Sequence, residues 1–130
     1  MSLIIHKKAY QDFLILLISL ESKCQNYDLK RDRTEVEEIW TNLKQIFQKR
    51  IVSLTDENLD RKVASRWISL QTEIQREFRL LNTDWLFWMS SRQQDTKRIR
   101  KQAVQERLSK LIKYCQVILK EEMKAEDSES

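Results

Sequence analysis

The chain of 130 residues contains no glycine and no proline. Average usage would supply roughly seven and five per cent of them. Their absence removes the two strongest helix breakers and turn makers together. Tight hairpins need residues that tolerate positive φ, so a sheet protein is excluded, and helix is the remaining regular structure. The same absence excludes chemistry. Phosphate-cradling and dinucleotide-binding loops require glycine where the backbone approaches the ligand, so neither kind of loop can be built here.

Ligating and nucleophilic residues are also scarce. There is one histidine, His6, and there are two cysteines, Cys24 and Cys115, far apart in the chain. A zinc site needs several such ligands clustered, so no metal and no cofactor is expected. Both cysteines fall on apolar helical positions, where a thiol behaves as a small hydrophobe. His6 lies on a helix stripe and reads as a packed or rim residue rather than a ligand. Adjacent carboxylates such as Glu37 with Glu38, or Glu121 with Glu122, point in different directions on a helix and cannot serve as an acid–base pair. A non-enzymatic protein follows. The longest apolar run, Phe13 to Ile18, falls far short of the roughly twenty residues of a membrane span. No secretory signal is evident, and with reduced thiols this predicts a cytosolic protein.

What the sequence does contain is helical periodicity. From Leu3 to Tyr27 apolar positions step through His6, Tyr10, Phe13, Leu17, Leu20 and Cys24, in alternating threes and fours. Thr34 followed by Glu37 matches a capping box and predicts that a second helix begins near Glu35, with Val36, Ile39, Trp40, Leu43, Ile46, Phe47 and Ile51 inside. It should yield near Ser53 to Asp56, where side chains must make the turn that glycine cannot. The longest stripe runs Leu59, Val63, Trp67, Leu70, Ile74, Phe78, Leu81, Trp85, Trp88. If unbroken from Asp56 to Ser91, that helix is roughly 50 Å long. After a break at Ser90 to Thr96, Val104, Leu108, Leu111, Ile112, Cys115, Ile118 and Leu119 form a fourth stripe. The prediction is an all-α fold, an antiparallel four-helix bundle with a long third helix, in a single domain over residues 1–123 with an acidic, disordered tail over 124–130.

Two features exceed what bundle packing requires. Residues 92–113 carry eight Lys or Arg against Asp95 and Glu106, a net of +6 on a chain whose total is +4. Lys97, Arg98, Arg100 and Lys101 fall in the first turns of the fourth helix, where the macrodipole disfavours cations by a few tenths of a kcal/mol each. Such a stretch is either a solvated face or a docking patch for an acidic partner, protein or nucleic acid. The second feature is Trp85-Leu86-Phe87-Trp88-Met89, five large apolar residues that sweep right around a helix. Trp85 and Trp88 belong to the stripe, whereas Leu86 and Phe87 point away from it and need a cover or a partner. Ile4 and Ile15 lie off the stripe of the first helix, with Ile18 at its margin, and a homodimer is one way to cover them. The candidate partner-binding residues are therefore Arg92, Lys97, Arg98, Arg100, Lys101, Leu86 and Phe87. No aromatic interleaves the cations between Arg92 and Lys113, which weighs against single-strand nucleic-acid binding.

The stretch Gln71 to Asp84, followed by Ser91-Arg92-Gln93 and later by Leu111-Ile112-Lys113-Tyr114-Cys115, resembles the PatD family of cyanobacterial proteins implicated in cell division and heterocyst frequency. The resemblance extends to the helical plan and chain length. It implies a non-enzymatic cytoplasmic protein that binds the tubulin-like division protein FtsZ, modulates its filament assembly and so influences cell size and heterocyst differentiation. It carries no residue-by-residue binding motif. The rival readings are a basic helical module for nucleic acid and a structural subunit of a protein complex.

Overall fold

The structure, a computed structural model, describes residues 2–26, 29–57 and 59–122. These form α1 (Ser2–Gln25), α2 (Leu29–Ile46), α3 (Arg61–Ser90) and α4 (Gln94–Val117), with no strand among the described residues. The protein is an all-α helical bundle. Helix α1 packs on α2 and on α4, and α3 lies along α4. Helices α2 and α3 are separated by the widest side chains in the protein.

Those side chains form an aromatic column. Phe47 stacks on Phe78 with ring centroids 3.9 Å apart, Phe78 on Trp40 at 5.6 Å, and Trp40 on Trp85 at 4.7 Å. Trp88 closes the column edge-on against Trp85 at 5.3 Å. Offset and edge contacts of this kind add about 0.5–1.5 kcal/mol each beyond area burial. Around the column lie Tyr10, Phe13, Leu17, Leu20 and Cys24 of α1, and Val104, Leu108, Leu111 and Cys115 of α4, all fully buried. The predicted core stripes thus face inward. Leu3, Tyr27 and the 124–130 tail lie outside the residues whose side chains are described.

Three helix boundaries differ from those the sequence predicts. Helix α2 begins at Leu29, not near Glu35, so Thr34 sits inside it and is no cap. Glu37 bonds Arg33 instead, at 3.2 Å, one turn back on the surface. The apolar pattern does not mark this start because a polar residue, Asp32, one turn before Val36, is buried at 7% exposed. It lies in the first turn, where the helix dipole favours a carboxylate. Helix α3 begins at Arg61 rather than Asp56, with Asp60 in extended geometry as its N-cap, and spans roughly 45 Å. Leu54 and Leu59 pack on the core, and the Leu59 N–H donates to the Asp56 carbonyl at 3.1 Å in a turn before the helix. Helix α4 starts at Gln94, inside the predicted break, and α3 ends at Ser90.

Two ends of α-helix widen into π-helical turns, at Phe47–Ile51 and at Ile118–Glu122. The first places the Ile51 carbonyl where Gln71 Nε2 donates to it at 2.7 Å. Gln71 is in turn tied to Tyr10, whose hydroxyl donates to Oε1, while Trp67 Nε1 donates to that hydroxyl at 2.6 Å. His6 Nε2 donates to the Thr55 carbonyl at 2.8 Å and its ring meets Trp67 edge-on at 5.0 Å. This buried network fastens the glycine-free loop between α2 and α3. Burial raises the Tyr10 hydroxyl far above the ordinary phenol range. As the sequence predicts, His6, Cys24 and Cys115 are packed inside, and burial pushes the Cys24 thiol up to about 12.

Candidate anion-binding cleft at the α3–α4 turn

The α3–α4 turn is made by serine. Ser91 Oγ donates to the Phe87 carbonyl at 2.5 Å, Ser91 N donates to Trp88 O at 3.3 Å, and Ser91 itself is extended, with φ −70° and ψ 139°. A hydroxyl satisfies the helix-end carbonyl that a left-handed glycine would otherwise release to its own turn. Helix α4 then starts without a side-chain cap at Gln93.

Beside this turn is a cleft of about 350 Å³ lined by Arg33, Trp88, Met89, Ser91, Gln94, Lys97, Arg98 and Lys101. Four of those residues are cations and none is a carboxylate. Trp88, the last ring of the aromatic column, and Met89 give it an apolar wall. Arg33 reaches Glu37 and Arg98 reaches Asp95 at 3.5 Å, both in exposed pairs. Lys97 and Lys101 have no carboxylate partner among the described residues. Lys101 also lies close enough to Cys24 to oppose, by its charge, the larger effect of burial on that thiol.

The seven residues singled out from the sequence therefore separate. Lys97, Arg98 and Lys101 share the cleft. Arg100 lies over the Phe87 ring instead, with its guanidinium carbon 4.7 Å from the centroid. Phe87 and Leu86 are exposed, at 48% and 60%, as their off-stripe positions predict, and Arg92 is exposed in the turn. None of these last four lines the cleft. Arg33 was missed. The legible signal is topological: in an up-down bundle the start of α2 shares an end with the α3–α4 turn, which brings the basic stretch before Val36 beside the basic start of α4.

No family model, characterised protein or solved structure matches this chain.

The basic stretch also divides functionally. Arg107 is consumed by structure: it donates to Glu77 at 3.0 Å and to Asp84 at 3.2 Å. Burial works against its charge, but the two carboxylates outweigh that and hold its pKa above the ordinary guanidinium value. Glu77, 1% exposed, also meets Arg76 at 3.5 Å and Lys110 at 4.0 Å. Among the described residues, cations without a carboxylate pair gather toward the start of α4, at Lys97, Arg100 and Lys101, while Arg107 and Lys110 are drawn to Glu77. Among the described residues no group of three or more His, Cys, Asp or Glu could hold a metal ion, and no helix is long and apolar enough to cross a membrane.

Proposed function

We propose that this protein is a non-enzymatic binding module that docks an acidic partner protein at the α3–α4 end of the bundle. The partner implied by the PatD resemblance is FtsZ, whose filament assembly the bound module would modulate. The observation that carries the reading is the gathering of Arg33, Lys97, Arg98 and Lys101 around one cleft with an apolar wall, beside exposed Leu86 and Phe87. Lys97 and Lys101, near the start of α4 and without carboxylate partners among the described residues, and Arg33 and Arg98, in exposed pairs, contribute little to folding, and a patch of one sign steers an oppositely charged partner. A nucleic-acid reading uses the same charges, but the aromatic at this end that lies in the cleft, Trp88, is 5% exposed and offers no open stacking face.

Reversing charge at Lys97, Arg98, Arg100 and Lys101 tests this. The variant should fold, because exposed charges contribute roughly 0–1 kcal/mol and the dipole effect changes in the favourable direction. It should lose the wild-type effect on FtsZ sedimentation, and the wild-type effect should weaken as salt screens the attraction. Unchanged FtsZ assembly with the folded variant would refute the reading.

A second contact, with another copy of the chain, is favoured by the outer face of α1, where Ile4, Ile15 and Ile18 are 70%, 63% and 46% exposed. Sedimentation equilibrium at tens of micromolar is the check. A monomer throughout would remove the homodimer.

A further inference from the structure

We infer that the cleft is a reader of a linear peptide segment in which an apolar side chain is flanked by carboxylates, and that Arg33 of α2 completes it. The inference rests on the docking reading above and narrows it to a ligand class.

The lining is divided by chemistry. Trp88 and Met89 supply one apolar wall, while cations come from two separate elements: Arg33 from the start of α2, and Lys97, Arg98 and Lys101 from the start of α4. The volume of about 350 Å³ falls at the small end of ligand clefts, which span about 300–1,000 Å³. It suits one large side chain with its neighbouring backbone rather than a folded surface. A simple anion would use the cations and leave the half-buried Met89 side of the wall uncovered. An unflanked apolar side chain would cover it beside Lys97 and Lys101, which have no carboxylate partner among the described residues. A segment carrying both satisfies both.

The resting state of the cations is consistent with exchange. Arg33 and Arg98 are held by Glu37 and Asp95 in pairs whose side chains are 46% and 49%, and 77% and 87%, exposed. Exposed pairs of this kind contribute little, so an incoming carboxylate displaces Glu37 or Asp95 at small cost. Lys97 and Lys101 have no such pair among the described residues. The α4 N-terminus adds to the same field, since its first amides have no side-chain cap at Gln93. A ligand bridging Arg33 to Lys97 and Lys101 also ties the start of α2 to the start of α4.

The test is calorimetric titration of the full chain with a blocked pentapeptide, a central phenylalanine flanked on each side by two glutamates. Three variants are titrated alongside: Arg33→Ala, Lys97→Ala with Lys101→Ala, and, as a control away from the cleft near the start of α3, Lys62→Ala. Wild type and Lys62→Ala should bind alike. Arg33→Ala and the double variant should bind at least roughly tenfold more weakly, as loss of one partner of a desolvated charge pair requires. Replacing the central phenylalanine by serine should weaken binding by a further factor of about ten, the scale of losing a buried side chain from an apolar pocket. Circular dichroism melts that coincide with wild type establish that the variants fold.

Equal binding by Arg33→Ala and wild type overturns the inference, as does equal binding of the serine peptide. So does competition by inorganic phosphate or a single-stranded oligonucleotide at the peptide's own affinity. If FtsZ co-sediments with wild type and Arg33→Ala alike while the peptide does not bind, the cleft inference fails and the FtsZ reading survives. If the peptide binds through Arg33 and FtsZ does not co-sediment, the cleft stands and FtsZ is not the partner.

Discussion

Replacing Glu77 by glutamine should cost stability well beyond that of an ordinary surface ion pair. The carboxylate is 1% exposed and accepts from Arg107 at 3.0 Å, with Arg76 at 3.5 Å and Lys110 at 4.0 Å. Removing one member of a buried pair costs about 3–5 kcal/mol because the other charge is left uncompensated. Here the remaining charge is not abandoned. Arg107 is 28% exposed and keeps Asp84 at 3.2 Å, while Arg76 and Lys110 are more than half exposed. Solvent and Asp84 together reduce the expected loss to roughly 2 kcal/mol, which for a domain of this size lowers Tm by roughly 8 °C. Urea unfolding followed by circular dichroism should show a lower midpoint with an unchanged slope. Because the penalty belongs to the orphaned charge, Glu77→Leu combined with Arg107→Met should cost less than the sum of the two single variants, the remaining loss belonging to Asp84, which Arg107 no longer pairs. The two single variants and the double form a cycle whose coupling should reach about 1–2 kcal/mol. A Glu77→Gln variant within about 0.5 kcal/mol of wild type, or a strictly additive cycle, would refute the account of the basic stretch as partly structural.

Tyr10→Phe should destabilise by roughly 2 kcal/mol, because it leaves Trp67 Nε1 without its acceptor and Gln71 Oε1 without its donor inside the core. Chemical denaturation measures it, and a loss below that of a surface variant would show that the network is slack. Asp12→Asn should cost up to about 1 kcal/mol at neutral pH, since Arg50 at 2.7 Å and Lys8 at 3.2 Å both favour the carboxylate. The hydrogen bond from Arg50 holds the Asp12 pKa below its usual range. Its stabilisation is therefore complete above about pH 4 and lost as the pH falls through the folded value, so wild type and variant should converge in acid. A stability difference that persists undiminished at low pH would contradict this.

Periodicity makes most of the interior legible. Apolar residues at threes and fours name the buried face of a helix whatever packs on it, which is why the sequence places Tyr10, Phe13, Leu17, Trp67, Ile74, Phe78 and Leu108 inside, as the fold does. The same rule places Leu86 and Phe87 outside, where they are. It misleads where a polar residue occupies a stripe position. Gln71 and Glu77 are buried because partners elsewhere in the fold satisfy them, and Asp32 because the neighbouring Arg31 pairs with it and it sits in the favourable field of a helix start. A one-dimensional pattern carries no record of those partners. The early start of α2 was missed for this reason.

The sequence by itself determined that the protein is helical, without glycine-dependent loops, and cationic toward the start of α4, because these follow from residue type and local spacing. The tertiary structure alone decided which cations act together. Arg107 and Lys110 are drawn to Glu77, Arg100 lies over Phe87, and Lys97, Arg98 and Lys101 meet Arg33 from 64 or more residues away in the chain. The physical reason is that charge interactions depend on distance and burial in space, and helix packing sets both only after each helix has formed.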